Sequence, residues 1–409
     1  MANTLKFGNG QWATGTGTAL AYNDENANYK PLPFDFTRAS SGTTVNQSGL
    51  IETVGSGTPR IDFEGNTKGS LLLEPSRTNL ITYSEDFSQG NWIKTDVTVS
   101  SNQTISPDGT LNADLIIASP TTSTHKLQTS QSVNSELYPV SVYVKAGGYN
   151  NVQIASWATG ANYINFNVTN GTVTKIGSVA PTIYGIESVG NGWYRVWANV
   201  QASGSGTVGI HMISADDSVW NEVFTGDGVS GLYLWGAMIE ANTFASSYIP
   251  TSGSTVTRVA DACNNGANEQ VINSTEGVLY AEVSGFSNDI VRYSISDGSN
   301  SNNIYIELSS SSVSAVGRLS AVNQFSIYSS QTITNYNKIA IKYKQNDFAL
   351  WINGVEVGTD TSGNTYPANT LDSFQFNRGD GGIYFYGETR DIKVYNTALT
   401  DAELKALTT

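Results

Sequence analysis

Cysteine and histidine are almost absent from this chain of 409 residues, which has one Cys and two His. Because Cys263 stands alone, the sequence has no intramolecular disulfide, no zinc site built from thiolates and no redox pair of cysteines. Nucleophilic catalysis needs a base beside its Ser or Cys, and neither His125 nor His211 lies in a recognisable elbow or triad motif. The sequence therefore lacks the side-chain sets for nucleophilic or thiol chemistry.

Charge is also scarce, since only 14% of the residues are Asp, Glu, Lys or Arg. The 35 acidic residues outnumber the 21 basic ones, and the net charge of −14 at pH 7 repels phosphate backbones and anionic lipid. We therefore expect no nucleic-acid partner. No run approaches the ~18 apolar residues of a membrane span, and the first residues lack a signal peptide. We expect synthesis in a cytosol and no membrane insertion.

Glycine and aromatic residues are plentiful, with 40 Gly, 21 Tyr, 14 Phe and 8 Trp. Aromatic side chains favour the pleated surface of a sheet, and Gly supplies the geometry of tight turns. A single hydrophobic core stops growing at about 250–300 residues, so the chain is expected to form two or three domains. These features predict an all-β protein with little helix.

Three regions follow from the spacing of turn residues and apolar alternation. Residues 1–75 read as an irregular N-terminal arm, because Pro31 and Pro33 disfavour regular ladder pairing. Residues 76–262 contain many strand-length runs with period-2 alternation and no helical intervals, which is typical of an antiparallel sandwich or jelly roll. Residues 263–409 are expected to form a second β-sandwich.

A hairpin at 348–358 is the sharpest local signal in the second sandwich. Asn353-Gly354 supplies the pair of positive φ angles that a two-residue type I′ turn requires. This turn places Ile352 opposite Val355, Trp351 opposite Glu356 and Leu350 opposite Val357. The residues expected to share the apolar face are Phe348, Leu350, Ile352, Val355 and Val357, with Trp351 and Glu356 on the other face.

One short helix is predicted at the end of the chain. Thr400 and Glu403 have the spacing of a capping box, and Leu404 and Leu407 lie on one side of the helix that follows. We expect this helix to dock on the second sandwich as a structural lid.

The last part of the chain resembles the concanavalin-like or laminin-G-like lectin superfamily. The resemblance covers residues 335–407, with the hairpin LWINGVEVG, the Gly-led strand GETRDIKVY and the ending LTDAE in the same order and spacing. It implies a concanavalin-like sandwich for the C-terminal region.

Other segments are similar to carbohydrate-binding jelly-roll modules of bacteriophage tail and fibre proteins. These segments are residues 72–94, NGWYRVW at 191–197 and residues 231–258, and the opening segment 6–41 is similar to the starts of such proteins. The resemblance implies a virion protein that contacts other virion proteins through its N-terminal arm. It also implies bacterial surface polysaccharide as the ligand and a homotrimer as the natural state of a fibre.

Sugar binding asks for exposed aromatic faces beside hydrogen-bonding groups. In the second sandwich the candidates are Trp351 and Glu356, although a covering element would bury Trp351. In the jelly roll the candidates are Trp220, Trp157, Tyr163 and His211, each of which points away from the apolar face of its strand or lies in a polar loop. His211 is either a solvent-face residue or a ligand contact.

Three functions remain open from the sequence. A phage adhesin that binds host glycan without catalysis fits the aromatic composition best. A purely structural virion component would use the same sandwiches, and a polysaccharide depolymerase is disfavoured because the carboxylate string of sandwich-fold glucanases is absent. Calcium is the one cofactor that the sequence suggests, because Glu85-Asp86, Asp216-Asp217 and Asp297 are loop carboxylates, although such residues more often serve turns than bind metal.

Overall fold

The computed structural model describes residues 5–8, 12–15, 18–23, 28–130, 137–156, 162–201, 207–241, 244–286 and 289–409. It divides into two compact units. Unit 1 comprises Met1–Ser41, Val54–Pro75 and Val259–Thr409, and unit 2 comprises Gly42–Thr53 and Ser76–Arg258. No helix among the described residues is long and apolar enough to cross a membrane.

Strands make up nearly all of the regular structure. In the first half of the chain they are β1 (Leu5–Gly8), β2 (Trp12–Gly15), β3 (Thr18–Asn23), β4 (Asn28–Thr37), β5 (Gly42–Val45), β6 (Ile51–Val54), β7 (Arg60–Asp62), β8 (Ser70–Leu73), β9 (Arg77–Asn79), β10 (Ile93–Thr95), β11 (Val97–Ile105), β12 (Leu111–Ala118), β13 (Thr122–Ser123), β14 (His125–Ser130), β15 (Leu137–Gly147), β16 (Asn151–Ser156), β17 (Tyr163–Asn167), β18 (Thr172–Ile176), β19 (Tyr184–Gly190) and β20 (Trp193–Gln201). In the second half they are β21 (Thr207–Ile213), β22 (Phe224–Thr225), β23 (Gly231–Ile239), β24 (Val256–Arg258), β25 (Ala262–Asn264), β26 (Glu276–Gly285), β27 (Val291–Ser296), β28 (Asn303–Ser309), β29 (Ser312–Leu319), β30 (Val322–Ser330), β31 (Asn337–Lys344), β32 (Phe348–Ile352), β33 (Val355–Asp360), β34 (Ser373–Gln375) and β35 (Gly387–Tyr395). One helix, α1 (Asp401–Thr408), follows them.

Unit 1 contains an antiparallel β-sandwich. Its eight-stranded sheet has the order β33-β32-β31-β26-β35-β8-β7, and β1 pairs with β35 beside β8. Its five-stranded sheet has the order β30-β29-β28-β27-β34. Alternate residues of β26, which are Leu279, Ala281 and Val283, are fully buried in a core that also holds Ile304 and Ile306 of the second sheet. The period of two along each strand thus separates the core face from an outer face.

Helix α1 covers part of the outer face of the eight-stranded sheet. The Thr400 hydroxyl accepts a hydrogen bond from the Glu403 backbone N–H, and the Glu403 carboxylate accepts one from the Thr400 N–H, so the predicted capping box is confirmed. Leu404 is fully buried in a cluster with Tyr280 and Trp351, and Leu407 is packed against it. The predicted docking of this helix on the sandwich is therefore confirmed.

The β32–β33 hairpin agrees with the predicted turn and departs from the predicted register after two pairs. Asn353 and Gly354 have φ angles of 50° and 81°, as a type I′ turn requires. Ile352 pairs with Val355 and Trp351 with Glu356, but a bulge then places Leu350 opposite Gly358. The expected pairing of Leu350 with Val357 is wrong. The apolar face also stops short of Val355, which is 59% exposed at the start of an edge strand.

The segment predicted as an irregular arm contains paired strands. In unit 1, β2, β3, β4 and β25 form a four-stranded sheet, while β1, β7 and β8 extend the sandwich. Pro31 lies within β4 opposite Leu20, next to a register shift that relieves the strict ladder pairing. An irregular arm spanning residues 1–75 is therefore not what the structure has.

Unit 2 is a second antiparallel sandwich of two six-stranded sheets. One sheet has the order β10-β14-β21-β16-β17-β18 and the other β11-β12-β23-β15-β20-β19. Val152 and Ile154 of β16 and Ile164 and Phe166 of β17 are fully buried in the core between them. The structure thus confirms an all-β protein built from sandwiches, with one short helix near the end of the chain.

Candidate functional site

A cavity of about 610 Å³ lies on the outer face of the eight-stranded sheet in unit 1. Three adjacent strands form its floor, the loop Gly65–Lys68 forms one wall, and Leu407 of helix α1 contributes to its lining. The volume falls within the range of roughly 300–1,000 Å³ that is usual for small-ligand sites. The lining residues are Gly65, Asn66, Thr67, Lys68, Tyr280, Glu282, Lys338, Arg390, Asp391, Lys393 and Leu407.

Strand alternation brings the charged residues of the floor together. In β26 the residues Tyr280 and Glu282 alternate with the core residues Leu279 and Ala281, and therefore point to the outer face. Glu282 pairs directly with Asp391 on β35, where a register shift accommodates the extra residue Arg390. The bulge therefore adds a charged side chain to the lining beside Asp391.

The loop Gly65–Lys68 is held in shape by one amide side chain. The Asn66 carbonyl oxygen accepts hydrogen bonds from the backbone N–H groups of Lys68 at 3.1 Å and Gly69 at 2.5 Å. The Asn66 amide nitrogen donates to the backbone oxygen of Glu64 at 3.2 Å and to the Ser70 hydroxyl at 3.3 Å. Because these bonds are local, the wall of the cavity is ordered without a ligand.

Arg390 is the most constrained cation of the cavity. Its guanidinium lies 3.4 Å from the centre of the Tyr336 ring, and one of its terminal nitrogens is 3.8 Å from a Glu282 carboxylate oxygen. Its buried Nε atom has no hydrogen-bond partner among the described residues. The Tyr336 hydroxyl donates to Glu388, whose carboxyl pKa is raised to about 7 mainly because the group is buried. Stacking on the Tyr336 ring therefore fixes the guanidinium, and its Nε donor makes no hydrogen bond to the described residues.

The two strand lysines are held in different ways. The Lys393 ammonium pairs with Asp391 and lies 4.8 Å from the centre of the Tyr280 ring. The Lys338 ammonium donates to the backbone oxygen of Thr409 at 2.8 Å, and no carboxylate side chain of the described residues pairs with it. The cavity thus combines a buried ring, charged donors and charged acceptors.

Unit 2 carries a row of polar side chains on the outer face of one sheet. In register across five strands, Lys126 of β14 lies opposite His211 of β21, followed by Gln153 of β16, Asn165 of β17 and Lys175 of β18. The first four are buried, with exposed fractions of 8% or less. Polar groups buried in this way require hydrogen-bond partners.

The loop between β21 and β22 supplies partners for this row. Asn165 donates to the backbone oxygen of Ser218 at 2.8 Å, and Gln153 donates to that of Val219 at 3.2 Å. The Lys126 ammonium donates to the Asn221 side chain at 2.9 Å. The loop therefore covers most of the polar row and leaves no open cleft over these side chains.

A family model described as the concanavalin A-like lectin/glucanases superfamily matches residues 279–405, which include the strands that form the cavity floor. Residues 279–405 form a concanavalin A-like domain. The match covers the five-stranded sheet, five strands of the eight-stranded sheet and most of helix α1, and it leaves out β1, β7 and β8. It agrees with the fold expected for this part of the chain. A search of curated proteins found no relative.

Several solved structures are similar to parts of the chain at low scores. They include the carbohydrate-binding module of a Ruminococcus gnavus sialidase, with a TM-score of 0.31 and 15% identity over 36% of this chain and 94% of that chain. Domain 4 of a Geobacillus stearothermophilus arabinanase has a TM-score of 0.28 and 14% identity over 41% and 84% of the two chains. Domains LG4-5 of mouse laminin alpha1 have a TM-score of 0.23 and 12% identity over 68% and 89%. These scores are too low to define a common site.

Trp351, the first predicted binding residue, is buried in the concanavalin A-like domain. Its ring points to the outer face as its register predicts, but Leu404 of helix α1 packs over it and leaves 6% of the side chain exposed. Its predicted partner Glu356 is exposed. Trp351 is therefore not an exposed platform for a sugar, because the short helix covers the outer face of the sheet at this position.

The candidates in unit 2 are also mostly covered. Tyr163 is 7% exposed and His211 is 3% exposed, so neither ring is open to solvent. Burial and the nearby Lys126 ammonium lower the pKa of His211 to about 3, which keeps its ring neutral. Trp220 is half-buried in the loop that covers the polar row, and Trp157 lies outside the described residues.

The loop carboxylates considered for calcium take part in turns. Asp297 accepts from the Ser299 N–H at 3.0 Å and from the Asn302 side chain at 2.8 Å, and Asp86 accepts from Ser88. Asp216 accepts from the Asn167 side chain at 2.9 Å. Across the described ranges no group of three or more His, Cys, Asp or Glu side chains is arranged to hold a metal ion.

The sequence reasoning missed the cavity because its residues are far apart in the chain. The loop Gly65–Lys68 precedes β35 by more than 300 positions, yet both line one volume. One available signal was the alternation in IKVYN and TRDIK around Asp391 and Lys393, which marks charged residues pointing off a buried strand. The prediction instead favoured aromatic residues at other positions as the binding site.

Proposed function

We propose that this protein is a non-catalytic carbohydrate-binding protein, and that it serves as an adhesin of a bacteriophage virion that recognises glycan on the host surface. The cavity of the concanavalin A-like domain is the observation that carries the binding proposal. The phage origin and the virion location rest on the resemblance of residues 72–94, 191–197 and 231–258 to phage fibre modules. Multiple copies on one particle, as in a trimeric fibre, would turn later contacts into intramolecular ones and raise avidity by ~10²–10⁴.

The lining of the cavity suits the chemistry of a sugar. Sugar hydroxyls act as both donors and acceptors, and the cavity offers carboxylates, ammonium groups and a guanidinium within one volume. The half-buried Leu407 adds apolar surface at the edge of the cavity, against which a sugar ring can pack. The site is preformed, since the Asn66 bonds and the Tyr336 stack hold its parts without a ligand.

A hydrolytic role is the second candidate, because one observation favours it. Glu282 and Asp391 face each other across β26 and β35, and opposite residues of an antiparallel pair have Cβ atoms about 4.5–5.5 Å apart. Retaining glycosidases use two carboxyl groups about 5–5.5 Å apart. Here, however, Arg390 lies beside Glu282 and Lys393 pairs with Asp391, so each carboxylate already has a cationic partner within the site. A hydrolase needs both carboxyl groups free to act on the glycosidic bond, so binding is the better proposal.

The test is binding of fluorescently labelled protein to candidate host cells before and after removal of their surface polysaccharide, together with a glycan array. Binding should be lost from stripped cells. Filling the cavity with Thr67→Trp, a change at an exposed loop position, should abolish binding to the recognised glycan. Thr361→Trp adds the same side chain at an exposed position outside the cavity and should bind normally.

Three results would overturn parts of this proposal. Equal binding by both tryptophan variants would place recognition outside the cavity. Absence of binding to any cell or glycan, with the protein located inside the particle, would favour the purely structural role. Release of reducing ends from host polysaccharide would show the hydrolytic role, and loss of that release in Glu282→Gln would assign it to the carboxylate pair.

A further inference from the structure

We propose that the cavity selects an acidic sugar, in which a carboxylate on the sugar ring is bound by the cationic part of the lining. This inference rests on the proposed carbohydrate-binding function and names the class of ligand. It follows from the charges of the lining, from the ion pairs they make and from the geometry of Arg390.

The lining has an excess of positive charge in an acidic protein. Its four cations are Lys68, Lys338, Arg390 and Lys393, and its two anions are Glu282 and Asp391. The chain as a whole carries a net charge of −14 at pH 7. A local excess of cations against that background attracts an anionic group and orients it when it arrives.

The ion pairs show which cations remain available. Lys393 pairs with Asp391, and Arg390 lies 3.8 Å from Glu282, so these four charges compensate one another in part. Lys68 and Lys338 pair with no carboxylate side chain in the described part of the chain, and Lys338 uses one of its three N–H groups on the Thr409 backbone oxygen at 2.8 Å. The excess charge therefore resides on two ammonium groups, one on the loop wall and one on the floor.

Arg390 presents an edge that fits a carboxylate. The Tyr336 ring covers one face of its guanidinium at 3.4 Å, so a ligand meets the edge of the group. The Nε atom is buried, whereas the side chain as a whole is 28% exposed, so a ligand meets the terminal nitrogens. A guanidinium presents these two nitrogens as a fork that matches the two oxygens of a carboxylate.

The two lining carboxylates favour a sugar acid over a simple anion. Glu282 and Asp391 are acceptors, so they bind the hydroxyl groups of a sugar and repel a small polyanion such as phosphate. A sugar that carries one carboxylate uses both kinds of group at once. The chemistry of the lining is therefore complementary to an acidic monosaccharide unit.

The experiment measures affinity for uronic-acid and sialic-acid oligosaccharides, each compared with its carboxyl-reduced counterpart, by titration calorimetry of the full chain. At least one acidic member should bind about tenfold or more tightly than its reduced form, which is the worth of one charge-assisted hydrogen bond. Lys68→Gln and Lys338→Gln should each weaken binding of the acidic form by about tenfold and leave that of the reduced form unchanged. Lys344→Gln is the matched control, since Lys344 pairs with Glu276 at the far end of β31.

Each contrary result has its own meaning. If the reduced sugars bind as tightly as the acidic ones, or if only neutral glycans bind, the acidic selectivity is refuted while carbohydrate binding stands. If no glycan binds, both proposals fail. If both lysine variants weaken acidic and reduced sugars equally, or if sulfated dextran competes as strongly as the acidic oligosaccharides, the cavity does not read a sugar carboxylate.

Discussion

Replacing Leu404 with alanine should destabilise unit 1 and expose Trp351. Leu404 is fully buried between helix α1 and the outer face of the eight-stranded sheet, where it packs in one cluster with Trp351 and Tyr280. The helix has eight residues, and within it only Leu404 and Thr408 are buried. Much of the attachment of the helix therefore depends on one side chain.

The expected loss is about 2–3 kcal/mol of unfolding free energy. Leu→Ala removes three carbon atoms, and at ~0.8 kcal/mol for each buried group the transfer contribution is about 2.4 kcal/mol. A residual cavity raises the cost of buried Leu→Ala changes to as much as about 5 kcal/mol. Because a short peripheral helix can settle onto the sheet, the lower end of that range applies. Loosening the helix should also disturb the cavity, since Leu407 lines it.

Urea unfolding followed by circular dichroism measures the change in free energy, and acrylamide quenching measures the accessibility of Trp351. The chain has 8 Trp, so the same quenching measurement on Trp351→Phe variants isolates the signal of this residue. Leu111→Ala is the control, because Leu111 is 62% exposed and the change should cost less than about 0.5 kcal/mol. A loss below about 0.5 kcal/mol for Leu404→Ala, with unchanged quenching, would show that the helix does not hold Trp351 in place.

Three further changes test buried charges. The parent protein should lose up to about 3 kcal/mol of stability as pH rises from 4.5 to about 7, because the pKa of the buried Glu388 carboxyl is raised to about 7 in the folded state. Glu388→Gln should not show this loss, and equal pH slopes for variant and parent in urea unfolding would contradict the prediction. The pKa of His211 is lowered to about 3, so its contribution to stability is present above pH 6.5 and is lost as pH falls toward 3. Between pH 7 and pH 4.5 the unfolding free energy of His211→Gln should fall by about 2–3 kcal/mol less than that of the parent. An equal fall in both proteins would refute this. Asp261→Asn should cost about 3–5 kcal/mol in thermal or urea unfolding, because buried Arg38 and Arg60 both pair with this carboxylate, and a cost below about 1 kcal/mol would count against the network.

Local features were predicted from the sequence where neighbouring residues decide them. The type I′ turn at Asn353-Gly354 and the capping box of helix α1 depend on backbone angles and hydrogen bonds within a few residues. The outward direction of Trp351 likewise follows from strand alternation. The bulge beyond Trp351 did not follow, because an extra residue in a ladder depends on what packs against both strands.

The candidate site was predicted poorly because exposure is a property of the whole fold. Period-2 alternation tells which side of a sheet a residue occupies, but both sides of a sheet can be covered. Helix α1 covers Trp351, and the loop between β21 and β22 covers the row that contains His211. The sequence shows that both covering segments exist, but it does not show which residues each segment covers.

The sequence by itself determined the all-β class, the turn chemistry, the single helix and the scarcity of reactive side-chain sets. Only the tertiary structure decided which outward-facing residues meet solvent and which distant ones share the cavity, such as Lys68 and Arg390. The reason is physical: turn geometry and alternation are set by contacts between near neighbours along the chain. A cavity arises from strand order, a bulge and a docked helix, which are set by the burial of apolar surface across the whole unit.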